Sequence, residues 1–297
     1  MNYADRLEAA VRDKQSACLV GLDPHLALLP DEFAVARDTS APRAERAAAV
    51  EDFLCQVIEI VAPYTPIVKP QSAFFEVLGA DGVRAWENVC AAAHGAGLLV
   101  LGDVKRGDIG STASAYASAF LEGDAGTDPA TLCDAVTVNP WLGSDSIQPF
   151  LDACERTDKG LYVLVRTSNP SSGEFQDSSD PPMMDRVADA VSEWGSQLMG
   201  ASGFSSVGAV VGATHPEELI RLRERMPTTP LLIPGYGAQG AGAAEVLPAF
   251  TSGLSGAIVN SSRGILFAKS DLPWKDATLA AIQQMQAAFG SGLVTRH

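Results

Sequence analysis

Residues 98–110 read Leu-Leu-Val-Leu-Gly-Asp-Val-Lys-Arg-Gly-Asp-Ile-Gly, an apolar run of strand length that ends in a cluster of charged side chains. Seven further short apolar runs recur along the chain, and each is followed by a longer segment with helical spacing. This alternation predicts βα units around a parallel sheet. The eight predicted strands are Cys18–Leu22, Pro66–Val68, Leu98–Leu101, Ala135–Val138, Leu161–Val165, Val207–Gly212, Leu231–Ile233 and Gly256–Val259.

The predicted strands are apolar throughout, which indicates burial on both faces by helices and by a barrel interior. Eight βα units in about 300 residues favour a (β/α)8 TIM barrel over a doubly wound sheet. We therefore expect one α/β domain over residues 1–297, with loop insertions near 26–42 and 171–182. The intervening helices carry apolar stripes at three- and four-residue spacing, such as Val50, Phe53, Leu54, Val57, Ile58 and Val61.

The chain is acidic, with 36 Asp plus Glu against 21 Lys plus Arg and a formal charge of −15. This balance disfavours nucleic acid or an anionic membrane surface as the main partner. No apolar run approaches the roughly 18 residues of a membrane span, and the first residues show no signal-peptide pattern. The five cysteines are widely spaced without a Cys-x-x-Cys motif. We expect them to be reduced packing residues in a cytoplasmic protein.

Charged side chains follow the first three predicted strands, at the end where barrel enzymes place their catalytic groups. Asp23 follows the first strand, Lys69 the second and Asp103 the third. Asp103 and Lys105 lie two residues apart, so their side chains project to the same side. An isolated Asp-x-Lys is usually a structural ion pair. Here Lys69 and Asp108 favour one alternating charge array, in which Lys105 is buried among carboxylates.

The motif Asp103-Val104-Lys105-Arg106-Gly107-Asp108-Ile109-Gly110-Ser111-Thr112-Ala113 resembles the signature of the orotidine 5′-phosphate decarboxylase family, which are cofactor-independent barrel enzymes that make UMP in the last step of de novo pyrimidine nucleotide synthesis. Ser262-Arg263 departs from the Gly-Arg of shorter relatives, and with the insertion at 26–42 it resembles the longer bacterial branch, often called type 2. Supporting motifs are Gly21-Leu22-Asp23-Pro24, Val68-Lys69-Pro70-Gln71, Thr167-Ser168-Asn169-Pro170, Pro234-Gly235-Tyr236-Gly237-Ala238-Gln239-Gly240 and Val259-Asn260-Ser261-Ser262-Arg263-Gly264.

Carried over to these positions, the resemblance implies that Lys105 protonates C6 of the pyrimidine as CO2 departs, while Asp103 lies against the departing carboxylate. Lys69 and Asp23 would bind ribose hydroxyls and order the charge array. Losing CO2 leaves an sp2 carbanion that no adjacent carbonyl delocalises, so catalysis needs a positive charge and a proton donor already in place. An ammonium flanked by carboxylates stays protonated, because nearby negative charge favours the charged form.

The resemblance also implies that Asp108 and Thr112 reach into the site of a neighbouring protomer, with Ile109 among the substrate contacts. It therefore implies a homodimer with shared active sites. The expected partner is the small molecule orotidine 5′-monophosphate, with no nucleic acid, membrane, cofactor or metal.

At the other end of the predicted site, Ser168 would contact the pyrimidine edge, while Pro234, Gln239 and Arg263 belong to the substrate-binding set. The resemblance implies that Gln239 and Arg263 hold the phosphate. The loops after strands seven and eight commonly bind phosphate in barrels, and their glycines let backbone N–H groups approach an anion. Gly235, Gly237 and Gly240 also spell G-x-G-x-x-G, but no acidic residue follows near position 260, so a dinucleotide site is disfavoured.

Two alternative functions remain open from the residues. Sugar-phosphate lyases of the same suprafamily share the Asp-x-Lys-x-x-Asp segment but use magnesium with an acidic ligand after the second strand, where this chain has Lys69. The second alternative is a catalytically silent phosphate-binding barrel. It is disfavoured because all four charged positions, Lys69, Asp103, Lys105 and Asp108, are intact. The remaining candidates favour structural roles. Thr214 and His215 predict a capped helix start. Arg106 and Arg166 lie near strand ends and could contact a ligand, but solvated or ion-paired arginines are favoured.

Overall fold

A computed structural model describes residues 1–212, 216–236 and 242–294 of the chain. Within these residues eight strands form the sheet: β1 Cys18–Leu22, β2 Ile67–Pro70, β3 Leu99–Arg106, β4 Ala135–Val138, β5 Gly160–Arg166, β6 Val207–Val211, β7 Leu231–Ile233 and β8 Ala257–Ser261. Each strand pairs in parallel with the next along the chain, and β8 pairs with β1 to close the barrel. The predicted (β/α)8 barrel is confirmed.

Helices alternate with the strands along the chain. The apolar stripe predicted for the second helix is buried as expected, from Val50 to Val61. At the start of the chain, Tyr3 packs edge-on against Tyr162 of β5, with ring centroids 6.1 Å apart. The described helices are α1 Tyr3–Lys14, α2 Arg43–Val61, α3 Ala73–Glu76, α4 Gly79–Gly95, α5 Gly110–Ala117, α6 Ser144–Thr157, α7 Gly173–Gln176, α8 Met183–Gly195, α9 Pro216–Arg225, α10 Ala243–Val246, α11 Arg263–Leu266 and α12 Trp274–Val294.

All eight predicted strands coincide with observed ones, but several strands run further than their apolar residues. Lys69 lies inside β2, and Asp103 and Lys105 lie inside β3, where the sequence predicted them to follow the strands. The apolar pattern ends a strand too early because it treats charge as a sign of exposure. Ion pairing between neighbouring strands allows these side chains to remain in the sheet.

The two segments predicted as loop insertions contain short helical turns. Segment 26–42 includes 3-10 turns at Leu26–Leu28 and Asp31–Arg37, and Phe33 within it packs against Phe53 of α2 with ring centroids 5.3 Å apart. Segment 171–182 includes α7. Turns of three to seven residues are too short for helical periodicity to reveal. The predicted cap at Thr214 and His215 lies outside the described residues, and α9 begins at Pro216.

The five cysteines are free thiols, and four of them are buried. Burial raises the pKa of Cys18 to about 12 and that of Cys154 to about 12, which keeps both thiols protonated and unreactive. The prediction of packing cysteines is confirmed. None of the described helices combines the length and apolar character needed to cross a membrane.

Candidate active site

A cavity of about 470 Å³ opens at the carboxyl ends of the barrel strands. Seven of the eleven residues predicted for the site line it, including Lys105 at the end of β3. These seven lining residues are Asp23, Lys69, Asp103, Lys105, Ser168, Pro234 and Arg263. The barrel therefore brings side chains from opposite ends of the sequence to one place, as parallel strands closed in a ring must do.

The carboxylate of Asp103 binds both lysines. Lys105 Nζ lies 2.5 Å from Oδ1 of Asp103, and Lys69 Nζ lies 2.9 Å from Oδ2. Lys69 Nζ is also 3.8 Å from Oδ1 of Asp23. The four groups thus form a row of alternating charge, Asp23, Lys69, Asp103 and Lys105, whose net charge is zero.

The row keeps its buried members ionised. Burial alone raises the pKa of Asp103, but the charges of Lys69 and Lys105 outweigh it and hold the pKa well below its usual value. Burial likewise lowers the pKa of Lys69, and the charges of Asp103 and Asp23 more than compensate, so that its pKa is raised. Each group supplies the opposite charge that makes burial of its neighbour tolerable.

Lys105 is not buried among carboxylates, which corrects the prediction. Its side chain is 46% exposed, against 6% for Lys69. Lys105 stands at the open end of the barrel, and its ion pair within the described residues is with Asp103 alone. Its backbone has φ of +43°, a left-handed conformation that costs a non-glycine residue about 1–2 kcal/mol. The proton donor predicted from the motif is therefore accessible to a ligand and held in a strained backbone.

The cavity is also lined by a cation that has no partner among the residues the structure describes. Arg263 begins α11, its side chain is exposed, and its guanidinium makes no hydrogen bond or ion pair with the rest of the described chain. Pro234 and Gly235 lie beside it in the lining, and Gly235 has φ of +89°, which glycine adopts freely. Gln239, with Gly237 and Gly240, falls outside the described residues. An unpaired arginine beside a glycine turn suits an anionic group such as a phosphate.

Ser168 follows β5, lines the same cavity and is half-buried. Gly212 at the end of β6 makes room for it, because a Cβ on that glycine would lie 3.2 Å from the Ser168 Cβ. The neighbouring Thr167 is held by Gln176, which accepts from its N–H at 3.0 Å and donates to its Oγ1 at 2.8 Å. Apolar side chains of Leu164, Val210 and Leu232 complete this wall of the cavity.

Three predicted site residues do not line the cavity of a single chain. Asp108 accepts a hydrogen bond from the N–H of Ile109 at 2.8 Å, and Ile109 is 54% exposed. Thr112 is exposed on α5. The predicted charge array is therefore assembled in this chain without Asp108, which lies in the loop that follows the end of β3 at Arg106.

The polar residues that line the cavity and that the sequence did not assign to the site include Gln71, Thr137 and Asn260. Gln71 Nε2 donates to Oδ2 of Asp103 at 2.9 Å, and Thr137 Oγ1 donates to Oδ1 at 2.9 Å. Asn260 is 8% exposed, and its Oδ1 accepts no hydrogen bond from any described residue. The sequence signal that could have identified these three residues is a polar residue within, or directly after, an otherwise apolar strand.

Arg106 and Arg166, which were predicted to be solvated or ion-paired, are both ion-paired. Arg106 pairs with Glu76. Arg166 is buried, and Glu218 of α9 accepts from its Nε at 2.8 Å and from its Nη2 at 3.1 Å. Asp177 lies 3.0 Å from Arg166 Nη1. Both arginines therefore connect strand ends to the surrounding segments and do not enter the cavity.

Comparisons with known proteins agree with this geometry. The model of the "Orotidine 5'-phosphate decarboxylase / HUMPS family" matches residues 19–273. An orotidine 5′-phosphate decarboxylase of Rhodopirellula baltica is 44% identical over 96% of this chain and 98% of its own, and one of Deinococcus radiodurans is 39% identical over 97% and 98%. The solved structure of an OMP decarboxylase of Leishmania donovani is similar with a TM-score of 0.76 and 31% identity, covering 98% of both chains.

Proposed function

The chain belongs to the orotidine 5′-phosphate decarboxylase family, and from this we propose that its cavity converts orotidine 5′-monophosphate to UMP and CO2 without a cofactor. The observation that carries the proposal is the row of Asp23, Lys69, Asp103 and Lys105, in which Asp103 binds both ammonium groups. The row lies in one cavity with the unpaired guanidinium of Arg263. A substrate that carries both a phosphate and a carboxylate matches this arrangement, with the phosphate at Arg263 and the carboxylate at the row.

In the proposed reaction, the bond between C6 and the carboxylate carbon breaks and leaves its electron pair on C6. Lys105 stabilises this charge and donates a proton to C6, which gives the C6–H bond of UMP, and the neutral amine regains a proton from water. Asp103 lies against the departing carboxylate. A positive charge that is already in place avoids reorganisation as the carbanion forms, which is the largest source of catalysis in many enzymes.

We assign substrate binding to the remaining residues of the cavity. Lys69 and Asp23 bind the ribose hydroxyls, and Ser168 contacts the pyrimidine edge. Arg263 binds the phosphate together with Gln239. Phosphate binding away from the reacting carbon supplies energy that fixes the pyrimidine against Lys105.

The position of Lys69 supports decarboxylation of a nucleotide over the magnesium-dependent chemistry of sugar-phosphate lyases. Its ammonium lies 2.9 Å from Asp103 and 3.8 Å from Asp23. Because Lys105 also binds Asp103, the two carboxylates that would serve a cation as ligands are already paired with two ammonium groups of the chain itself.

We further propose a homodimer in which Asp108, Ile109 and Thr112 complete the site of the partner. Their exposure on the segment after β3 supports this, because Ile109 is a large apolar side chain that is 54% exposed in the single chain. We also propose a cytoplasmic location, which is supported by five free cysteines, since thiols persist in a reducing compartment.

The proposed function is tested by following the pyrimidine absorbance of orotidine 5′-monophosphate with purified protein, with and without EDTA. We expect turnover at the same rate in both conditions. Loss of turnover with EDTA would show that the decarboxylation depends on a metal, and no turnover in either condition would overturn the proposed function in favour of one of the two alternatives.

A further inference from the structure

The pairing of β3 with β4 is irregular beside the charge row. Gly102 pairs with Val136 and Arg106 pairs with Val138, so three residues of β3 lie opposite the single residue Thr137 of β4. The three residues are Asp103, Val104 and Lys105, and the left-handed backbone of Lys105 belongs to this bulge. Bulges of this kind re-aim side chains and are common beside active sites.

Thr137 fills the irregularity with its hydroxyl group. Its Oγ1 accepts from the N–H of Val104 at 3.1 Å and from the N–H of Lys105 at 3.0 Å. The same oxygen donates to Oδ1 of Asp103 at 2.9 Å. A hydroxyl offers one donor and two acceptor sites, so all of its hydrogen-bonding capacity is used on the three residues of the bulge. Thr137 is 1% exposed, so its hydroxyl is shielded from solvent.

These contacts bear directly on the two residues that act on the substrate. The bulge removes the N–H groups of Val104 and Lys105 from the regular ladder, and a buried N–H without a partner is costly. Thr137 therefore stabilises the backbone that directs the Lys105 ammonium toward Asp103. Its third bond fixes the Asp103 oxygen that Lys105 also binds.

We propose that Thr137 is a positioning residue for decarboxylation, which holds Lys105 and Asp103 in the geometry that C6 and its carboxylate require. This inference rests on the proposed function and adds a residue that touches neither C6 nor the proton. Threonine suits the position because its β-branched shape fits a barrel strand like the adjacent valines, while its hydroxyl satisfies the bulge.

The experiment compares Thr137→Val, which keeps the shape and loses the hydroxyl, with Thr137→Ser, which keeps the hydroxyl. Thr65→Val is the matched control. Thr65 is fully buried, and its Oγ1 lies 2.7 Å and 2.9 Å from the carbonyl oxygens of Cys18 and Ile67, before β2 begins. It therefore reports the general effect of removing a buried hydroxyl from the barrel, away from the cavity.

We expect Thr137→Val to lower kcat by about 10- to 100-fold, because small displacements of reacting groups have effects of this size. The dissociation constant of UMP should change by less than about threefold, since product has no carboxylate to place against Asp103. Thr137→Ser should recover kcat to within about threefold of wild type, and Thr65→Val should lower Tm while leaving kcat within about twofold. Should Thr137→Val not fold, Thr137→Ala should show the same loss of kcat.

The inference is overturned if the Thr137→Val or Thr137→Ala protein keeps kcat within about twofold of wild type. It is also overturned if serine fails to recover the activity, or if Thr65→Val lowers kcat equally. Failure of the proposed function is seen separately, because wild-type protein would then not decarboxylate the nucleotide at all.

Discussion

Lys105 Nζ and Asp103 Oδ1 lie 2.5 Å apart on the same strand, although one side chain is 46% exposed and the other is 9% exposed. The ion pair therefore joins a buried anion to a cation at the open end of the cavity. A ligand can reach the ammonium without breaking the contacts that hold the carboxylate. This arrangement supports the proposal that Lys105 donates the proton and that Asp103 supplies a fixed negative charge.

Replacing the proton donor should abolish turnover and leave product binding. We expect Lys105→Ala to lower kcat by at least about 1,000-fold, since it removes both the acid and the charge that stabilises the carbanion. UMP binding measured by calorimetry should remain detectable, because Arg263 is unchanged. Lys269→Ala, at an exposed lysine outside the cavity, is the control. Activity of Lys105→Ala within about tenfold of wild type would mean that the donor is a different group.

The proposed shared site can be tested by mixing two inactive proteins. In a dimer of Lys105→Ala with Asp108→Ala, one of the two sites has neither substitution. After subunit exchange at equal amounts, about a quarter of all sites should be intact, and activity should recover to about that level.

The matched control for this mixture is Lys105→Ala with Asp103→Ala. Lys105 and Asp103 both line the cavity of their own chain, so each of the two sites in the mixed dimer carries one substitution and neither is intact. Recovery in this control, or none in the first mixture, would contradict the assignment of Asp108 to the partner's site.

Arg263 should recognise the phosphate specifically. We expect Arg263→Ala to weaken UMP binding by about 10- to 100-fold, because a charge-assisted hydrogen bond contributes about 1.5–3 kcal/mol. Uridine, which lacks the phosphate, should bind both proteins equally. Arg84→Ala, at an exposed arginine outside the cavity, should affect neither ligand. Equal weakening of UMP and uridine would indicate that Arg263 shapes the cavity without binding phosphate.

A histidine outside the active site should make stability depend on pH. His94 Nε2 lies 2.8 Å from Oδ2 of Asp134, and Nδ1 lies 2.7 Å from the carbonyl oxygen of Ala130. Both ring nitrogens face acceptors, so only the doubly protonated ring satisfies both. Burial lowers the pKa of His94, but the hydrogen bonds to Asp134 and Ala130 outweigh it and raise the pKa above 6.5. Lys159 opposes this rise, and Arg6 shares the Asp134 carboxylate.

A raised pKa in the folded state contributes stability that is fully present below the unfolded value of 6.5 and is lost as pH rises through the folded value. We therefore expect the difference in Tm between wild type and His94→Asn to be larger at about pH 5.5 than at about pH 9. His25→Asn is the control, because the His25 ring packs against Phe74 and has no carboxylate partner among the described residues. A Tm difference for His94→Asn that is constant with pH would refute the assignment.

The barrel was predictable from sequence because its strands are buried on both faces and are therefore apolar almost throughout. The charge row was predictable because the barrel places the carboxyl ends of its strands together, so that Asp23, Lys69 and Asp103 had to be neighbours. The role of Asp108 in a partner's site and the role of Gln239 stay predictions.

The bulge opposite Thr137 was not predictable, because hydrophobic periodicity carries no information about register between strands. A threonine in a run of valines reads as one more β-branched strand residue. Its role depends on three extra contacts that exist only after β3 departs from regular pairing. The exposure of Lys105 was missed for a related reason, since a motif shows which residues are neighbours and not where the barrel opens.

The four donors on Asp103 have a consequence for how this site can change over evolutionary time. Lys69, Lys105, Gln71 and Thr137 all bind one carboxylate. Substituting any one of them changes the environment of the other three, so the effects of substitutions here will not add. A descendant with a new activity would then have to replace several of these four donors together or pass through poorly active intermediates.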